Sequence, residues 1–190
     1  MTYDFFDRYA QKLDVSESAM IAIKPLGEVS SDFKAHGVPE TSIKTIVDSI
    51  GSQYVGVGVS HNNFRDKSGD IVPVKIIAED IQRQKGWVAG GEQDGIGEFW
   101  VMHEKGTTLG PVVYRELIEN TGMCLVAGPI EDDEIGAMLE GKAFTMSIGY
   151  KYLADEAGRY QAIYVYEHTV AKPSLEMNPY TWFKVFRRSG

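Results

Sequence analysis

From Gln53 onward, the chain consists mainly of short segments of β-branched and aromatic residues separated by turn residues. Such segments include "QYVGVGVS", "GEFWVMHE", "GPVVYREL" and "MCLVAGPI". Short apolar runs bounded by Gly, Pro, Asn and Asp are typical of strands in a closed or nearly closed sheet. A few helical segments accompany them. The sequence therefore predicts an α+β fold, mainly an antiparallel β-barrel with a few surrounding helices.

The first fifty residues differ from the rest of the chain, because helical spacing of apolar residues predominates there. It occurs at residues 5–13 and in "PETSIKTIVDSIG", both within the first fifty residues. Two further helices are predicted in "IIAEDIQRQKG", with Gly86 as its stop, and in "EDDEIGAMLEGKA". We therefore expect a helical N-terminal element over residues 1–50 and a β-barrel domain over residues 51–190.

Composition narrows the classes of protein to consider. A chain of 190 residues buries one substantial core, and its net charge of −8 argues against nucleic acid as the main partner. No apolar run approaches the roughly 18 residues that a membrane span requires. Cys124 is the only cysteine, so internal disulfides and CxxC metal sites are excluded, and a reducing compartment is expected. We predict no cofactor, no metal site and no export signal.

The segment "FTMSIGYKY" carries one serine in an otherwise strand-like composition. Alternation along a strand puts the large apolar residues on one face. The opposite face then carries the small residues Thr145, Ser147 and Gly149. Ser147 therefore faces a space that a reacting group could enter, and it is either a packed hydroxyl or a nucleophile.

A serine nucleophile needs a neighbouring base, and imidazole is the usual one because its pKa lies near neutrality. His103 is predicted at the end of the strand "EFWVMH", and His168 in the strand that follows Ser147. Glu167 precedes His168, so only one of these two neighbours can share the face of Ser147. His61, predicted in a turn, is the reserve candidate for the base. Taken alone, scattered serines and histidines are usually structural.

The order of the segments adds more specific information. A loop of the "RDKSGDIV" kind precedes a helix, and "VMHEKGTTLGPV" places a histidine before a glycine-containing turn. A strand, a short helix and a Ser-Ile-Gly strand follow, and then "VYEHTVAKPSLEMNP". Over residues 56–179 this order resembles the prohead (capsid maturation) proteases of tailed bacteriophages, which are relatives of the herpesvirus assemblins. The likeness covers about two thirds of the chain.

The resemblance implies roles for particular residues and an assemblin-like barrel. Ser147 would be the nucleophile and His103 the general base. The third member would be His168, as in the assemblin arrangement, or Glu167, as in phage relatives. We favour His168, because it could orient the base without a buried negative charge. The oxyanion donors would come from about residues 171–175.

The function that the resemblance implies is that of a serine endopeptidase. It would cleave scaffold and major capsid proteins, and itself, during prohead maturation inside the assembling prohead, in the cytoplasm of the infected bacterial host. The resemblance allows a homodimer, and we expect neither nucleic acid nor a membrane as partner. The alternative is a catalytically inactive virion structural or scaffold-docking module on the same fold.

Overall fold

The computed structural model describes residues 40–63, 66, 70–92, 95–118, 122–172 and 181–188. The helix predicted at residues 5–13 lies outside these residues. Within them, the chain forms eight strands and three helices. The helices are α1 (Glu40–Ile50), α2 (Val74–Ala89) and α3 (Asp133–Leu139).

All eight strands belong to one curled sheet. They are β1 (Tyr54–Asn62), β2 (Glu98–Val101), β3 (Glu104–Pro111), β4 (Tyr114–Ile118), β5 (Met123–Pro129), β6 (Ala143–Ala154), β7 (Tyr160–Ala171) and β8 (Trp182–Arg187). Their order is β3-β2-β7-β6-β8-β1-β5-β4, and every neighbouring pair is antiparallel except β2 and β7. The predicted α+β class with a mainly antiparallel sheet is confirmed.

The sheet forms a half-barrel, because β3 and β4 remain its two edges among the described residues. These edge strands are consecutive in the chain and are joined through Val112 and Val113. Backbone N–H groups of Val113 and Glu131 donate to Ala127 O and Leu109 O, each at 3.0 Å. These bonds hold the β3–β4 connection against β5 and bring the two edges of the sheet close together.

The inner face of the sheet carries the larger hydrophobic core. Helix α2 contributes Ile76, Ile77 and Ile81 to it, because this spacing puts all three side chains on one side of the helix. The sheet contributes alternate residues of its central strands, among them Phe99, Val101, Phe144, Met146, Val165, Val170 and Phe183. In β6, Ser147 follows Met146 and therefore points to the outer face.

The outer face is covered over β1 and β5 by α1. Ile43, Ile46 and Val47 of this helix are buried against a second cluster, which includes Val55, Val57, Val59, Met123 and Leu125. The helix ends as predicted at Gly51, whose φ of +79° suits glycine. Helix α1 therefore packs on the main sheet.

Three predicted features differ in the structure. Helix α2 does not stop at Gly86 but continues to Ala89, where Gly90 N–H caps it by donating to Gly86 O at 2.9 Å. The predicted turn "EKGTTLG" is instead most of strand β3, since the reversal occurs earlier, at residues 102–103. The predicted strand "GPVVYREL" is divided between the end of β3 and the start of β4.

Candidate active site

His103 lies in the two-residue turn of the hairpin that joins β2 to β3. Val101 pairs with Glu104, and the two residues between them, Met102 and His103, have φ values of +53° and +59°. Positive φ at both positions is the type I′ hairpin geometry, which normally selects Asn and Gly. Each non-glycine residue in this region costs about 1–2 kcal/mol. His103 therefore occupies a strained turn two residues beyond the end of β2, not the strand end itself.

Strand β7 holds this strained turn in place. Met102 N–H donates to Val170 O at 3.1 Å, and His103 N–H donates to Thr169 Oγ1 at 3.2 Å. Backbone strain persists only where surrounding contacts over-determine the conformation, and such positions cluster at functional sites. The strained backbone thus indicates that the turn serves to hold the His103 side chain in its position.

The His103 ring is hydrogen-bonded to a buried carboxylate. Its Nδ1 lies 2.6 Å from Glu167 Oε1; the side chain of Glu167 is 1% exposed and that of His103 is 49% exposed. A carboxylate accepts, so Nδ1 carries the proton that it donates, and Nε2 is left as the basic nitrogen of the neutral ring. The ring is thus oriented from behind and accessible from the front.

Ser147 belongs to the same part of the outer face through the pairing of β6 with β7. Ser147 is the direct partner of Thr169, and Gly149 is the direct partner of Glu167. Thr169 Oγ1 in turn lies 3.2 Å from His103 Nδ1. Directly opposed side chains in an antiparallel pair are neighbours. The ladder therefore brings a half-buried serine next to the residues that hold the imidazole.

His168 lies on the inner face and has no contact of this kind with His103. The β6–β7 ladder has an irregularity after Gly149, because Tyr150 pairs with Val165 and Tyr166 is the extra residue. Beyond it Glu167 and Thr169 point outward and His168 inward. Our preference for His168 as the partner of His103 therefore does not fit the structure, which brings Glu167 to the ring instead.

The inner position of His168 gives it a different environment. It is fully buried, and its ring centroid lies 6.4 Å from that of His61. Burial, with Arg115 as a second cause, lowers the pKa of His168 well below its usual value, although the Ile96 backbone opposes this. His168 is therefore a neutral core histidine.

The reserve candidate His61 is also a core residue, not a turn residue as predicted. It lies near the end of β1, buried, with Nδ1 2.9 Å from Ser60 Oγ. Burial, with Arg115 and then His168 as further causes, lowers its pKa well below the usual value. It is not part of the outer-face group around His103.

A buried ion pair on the inner face had no signal in the sequence. Arg115 Nη1 of β4 lies 2.8 Å from Asp80 Oδ2 of α2, and both side chains are fully buried. Gln84 Nε2 donates to Asp80 Oδ1 at 3.1 Å and to Val165 O at 2.7 Å. Arg115 Nε also donates to Cys124 Sγ at 3.4 Å. Burial raises the pKa of the Cys124 thiol, which suits a core thiol and not a nucleophile.

Thr169 was also missed by the sequence reasoning. The signal was present, because Thr169 follows Glu167 by two residues and so shares its face. Of the segment predicted to supply oxyanion donors, residues 173–175 lie outside the described residues. Among the described residues, no three His, Cys, Asp or Glu side chains are grouped to bind a metal. None of the helices described is long and apolar enough to cross a membrane.

Comparison with known proteins does not identify the site. The chain matches no protein-family model, and searches of curated proteins and of solved structures found no significant match. The phage-protease resemblance is therefore a proposal. The contacts among His103, Glu167 and Thr169, and the pairing of Ser147 with Thr169, are the observations on which a function has to rest.

Proposed function

We propose that this protein is a serine endopeptidase in which Ser147 is the nucleophile, His103 the general base and Glu167 the residue that orients the base. The observation that carries the proposal is the 2.6 Å bond from His103 Nδ1 to the buried Glu167 carboxylate, on the face that Ser147 shares. A hydroxyl, an imidazole and an orienting carboxylate are the parts that acyl transfer requires, whatever the fold. Glu167 replaces His168 in the third position.

The proposed mechanism assigns one task to each side chain. His103 Nε2 takes the proton of Ser147 as the hydroxyl oxygen attacks the scissile carbonyl. Glu167 keeps Nδ1 protonated and stabilises the imidazolium that forms. His103 then gives the proton to the leaving amine, and a water activated by the same nitrogen hydrolyses the acyl-enzyme. The half-exposed His103 ring suits a substrate that approaches from solvent.

The proposal extends to the prohead proteases and their assemblin-like barrel. In support, the strand with the Ser-Ile-Gly sequence pairs directly with the strand that carries Glu167, and the histidine lies in the turn before β3. These segments carry the resemblance. The substrates would be scaffold and major capsid proteins, together with the chain itself, cleaved inside the assembling prohead in the infected cell.

Labelling with a fluorophosphonate probe tests the proposed nucleophile. We expect the wild-type protein to be labelled at Ser147, and the Ser147→Ala variant to lose both labelling and self-cleavage while keeping its fold. Ser49→Ala, which removes an exposed hydroxyl that donates to Ile46 O on α1, is the control and keeps both. A wild-type protein that is folded but neither labelled nor cleaved would contradict the proposal and favour the inactive structural module.

A further inference from the structure

Thr169 occupies the centre of the candidate site. It is fully buried in β7, directly opposite Ser147 in the ladder. Its hydroxyl oxygen lies 3.2 Å from the backbone nitrogen of His103 and 3.2 Å from the Nδ1 atom of the same residue. The same hydroxyl donates to Glu167 Oε2. One side chain therefore contacts both the base and the carboxylate that orients it.

The donor count of a threonine hydroxyl determines what these contacts can be. A hydroxyl has one proton to donate and two lone pairs with which to accept. The proton is used by Glu167 Oε2, since an ionised carboxylate can only accept. Toward His103, Thr169 Oγ1 can then only accept, from the backbone N–H and from Nδ1. Among the described residues, the contacts of His103 Nδ1 are therefore with two acceptors, Glu167 Oε1 and Thr169 Oγ1.

We propose that Thr169 is a positioning residue that fixes the tautomer of His103, so that Nδ1 carries the proton and Nε2 is free to act as the base. The inference rests on the proposed function for its catalytic consequence, but the tautomer itself is a property of the folded protein. Thr169 also ties the strained turn to β7 through His103 N–H. It acts through the histidine and the glutamate, not on the substrate.

Two substitutions separate the hydroxyl from the rest of the side chain. Thr169→Val keeps the branched shape but removes the hydroxyl, whereas Thr169→Ser keeps the hydroxyl. Because hydrogen bonds to charged groups are the stronger ones, we expect Thr169→Val to lower kcat by about 10- to 100-fold with KM nearly unchanged. Thr169→Ser should stay within a few-fold of wild type. The pH profile of kcat/KM should shift only in the valine variant.

Thr145→Val is the matched control for loss of a buried threonine hydroxyl. Thr145 lies two residues before Ser147 on the same face of β6, and its hydroxyl is bonded to that of Thr181 at 2.8 Å. Its loss should lower thermal stability without changing kcat or the pH profile. Equal effects of the valine substitutions at positions 145 and 169 on kcat would overturn the proposal, because a general loss of stability would then explain both.

Nitrogen-15 NMR of the histidine rings tests the inference without any assay of activity. In the wild-type protein, the neutral form of the His103 ring should be the Nδ1–H tautomer. Thr169→Val should raise the fraction of the Nε2–H tautomer. A wild-type ring protonated at Nε2 would overturn the proposal even if the valine variant failed to fold. If the tautomer is as expected but Ser147 is not labelled by a fluorophosphonate, the positioning role stands and the proposed function fails.

Discussion

Gly149 and Glu167 lie directly opposite each other in the β6–β7 ladder, and the glutamate side chain occupies the space beside the glycine Cα. A Cβ at position 149 would overlap Glu167 Oε1 and would lie 2.8 Å from Glu167 Cγ and Tyr166 Cζ. The Ser-Ile-Gly sequence thus has a physical explanation. The glycine two residues after Ser147 leaves room for the carboxylate that is hydrogen-bonded to His103.

We expect Gly149→Ala to lower the activity by more than 10-fold and to destabilise the fold by about 1–3 kcal/mol, because the new methyl group displaces Glu167 from His103. Fluorophosphonate labelling rates and urea unfolding measure the two effects. Gly86→Ala is the control, since nothing lies within 4 Å of its Cβ position in α2. That change should stabilise the protein by up to about 1 kcal/mol. Wild-type labelling by Gly149→Ala would contradict the proposed role of the glycine.

The strained turn predicts that two substitutions of His103 will differ in stability, although both should abolish the proposed hydrolysis. Asn tolerates positive φ better than most residues, and its amide can donate to the Glu167 carboxylate. Ala tolerates positive φ less well than Asn, and it has no group that could donate to the buried Glu167 carboxylate. We therefore expect His103→Asn to be more stable than His103→Ala by about 1–3 kcal/mol in urea unfolding. Equal stabilities would show that the turn and the bond contribute little.

The buried pair of Arg115 and Asp80 predicts strong coupling between two substitutions. Arg115→Met leaves the Asp80 charge in the core and should cost about 3–5 kcal/mol. Arg83 Nη1, 3.6 Å from Asp80 Oδ1, favours the lower end of this range. Adding Asp80→Asn should recover part of the loss, which a double-mutant cycle in urea measures. Strict additivity would contradict this prediction.

The exposed pair of Lys44 and Asp48 is the control for that cycle. Its atoms are 2.7 Å apart, but the side chains are 67% and 46% exposed. Exposed pairs contribute about 0.2–1 kcal/mol. Lys44→Met should therefore change the free energy of unfolding far less than Arg115→Met does. A similar loss for both would show that burial is not the cause.

The two inner histidines predict that the fold loses stability in mild acid. Burial keeps His61 and His168 neutral by lowering their pKa values, while in the unfolded chain both bind protons below about pH 6.5. The unfolded state then binds more protons, so acidification favours it. Each histidine contributes up to about 1.4 kcal/mol of lost stability per pH unit below 6.5. Urea unfolding at pH 7.5, 6.0 and 5.5 measures the slope.

A variant isolates this effect from other groups that titrate in the same range. His168→Leu removes one of the two inner imidazoles and also the contact between them, whose rings are 6.4 Å apart. The loss of stability between pH 7.5 and 5.5 should fall by about half relative to wild type. An unchanged slope would mean that His168 does not govern the acid response.

The elements of the fold could largely be predicted from local pattern. The spacing of Ile43, Ile46 and Val47 predicts α1, and the alternation in "FTMSIGYKY" predicts β6 and the outward face of Ser147. These patterns report on neighbouring residues, which the sequence shows directly. The curvature that leaves β3 and β4 as edges depends on contacts between distant segments, so the sequence predicted a barrel where a half-barrel forms.

The third residue of the candidate site shows what alternation leaves open. Alternation separates Glu167 from His168, but which of the two shares the face of Ser147 depends on how β7 pairs with β6. We preferred His168 because it follows the assemblin arrangement and avoids a buried negative charge, whereas the pairing of Gly149 with Glu167 puts the carboxylate on the outer face. The type I′ turn at Met102 and His103 was hidden for a similar reason, because neither residue has the composition of such a turn.

Three consecutive residues of β7, Glu167 to Thr169, alternate between the two faces of the sheet. Glu167 and Thr169 point outward to the candidate site, and His168 points into the core. A slip of the pairing by a single position would exchange the two sides, so that an acid entered the core and an imidazole took its place behind His103. An insertion near the hairpin at residues 155–159 would therefore disturb the core and the proposed hydrolysis together only if it passed into the pairing, beyond the irregularities after Gly149 and Leu153.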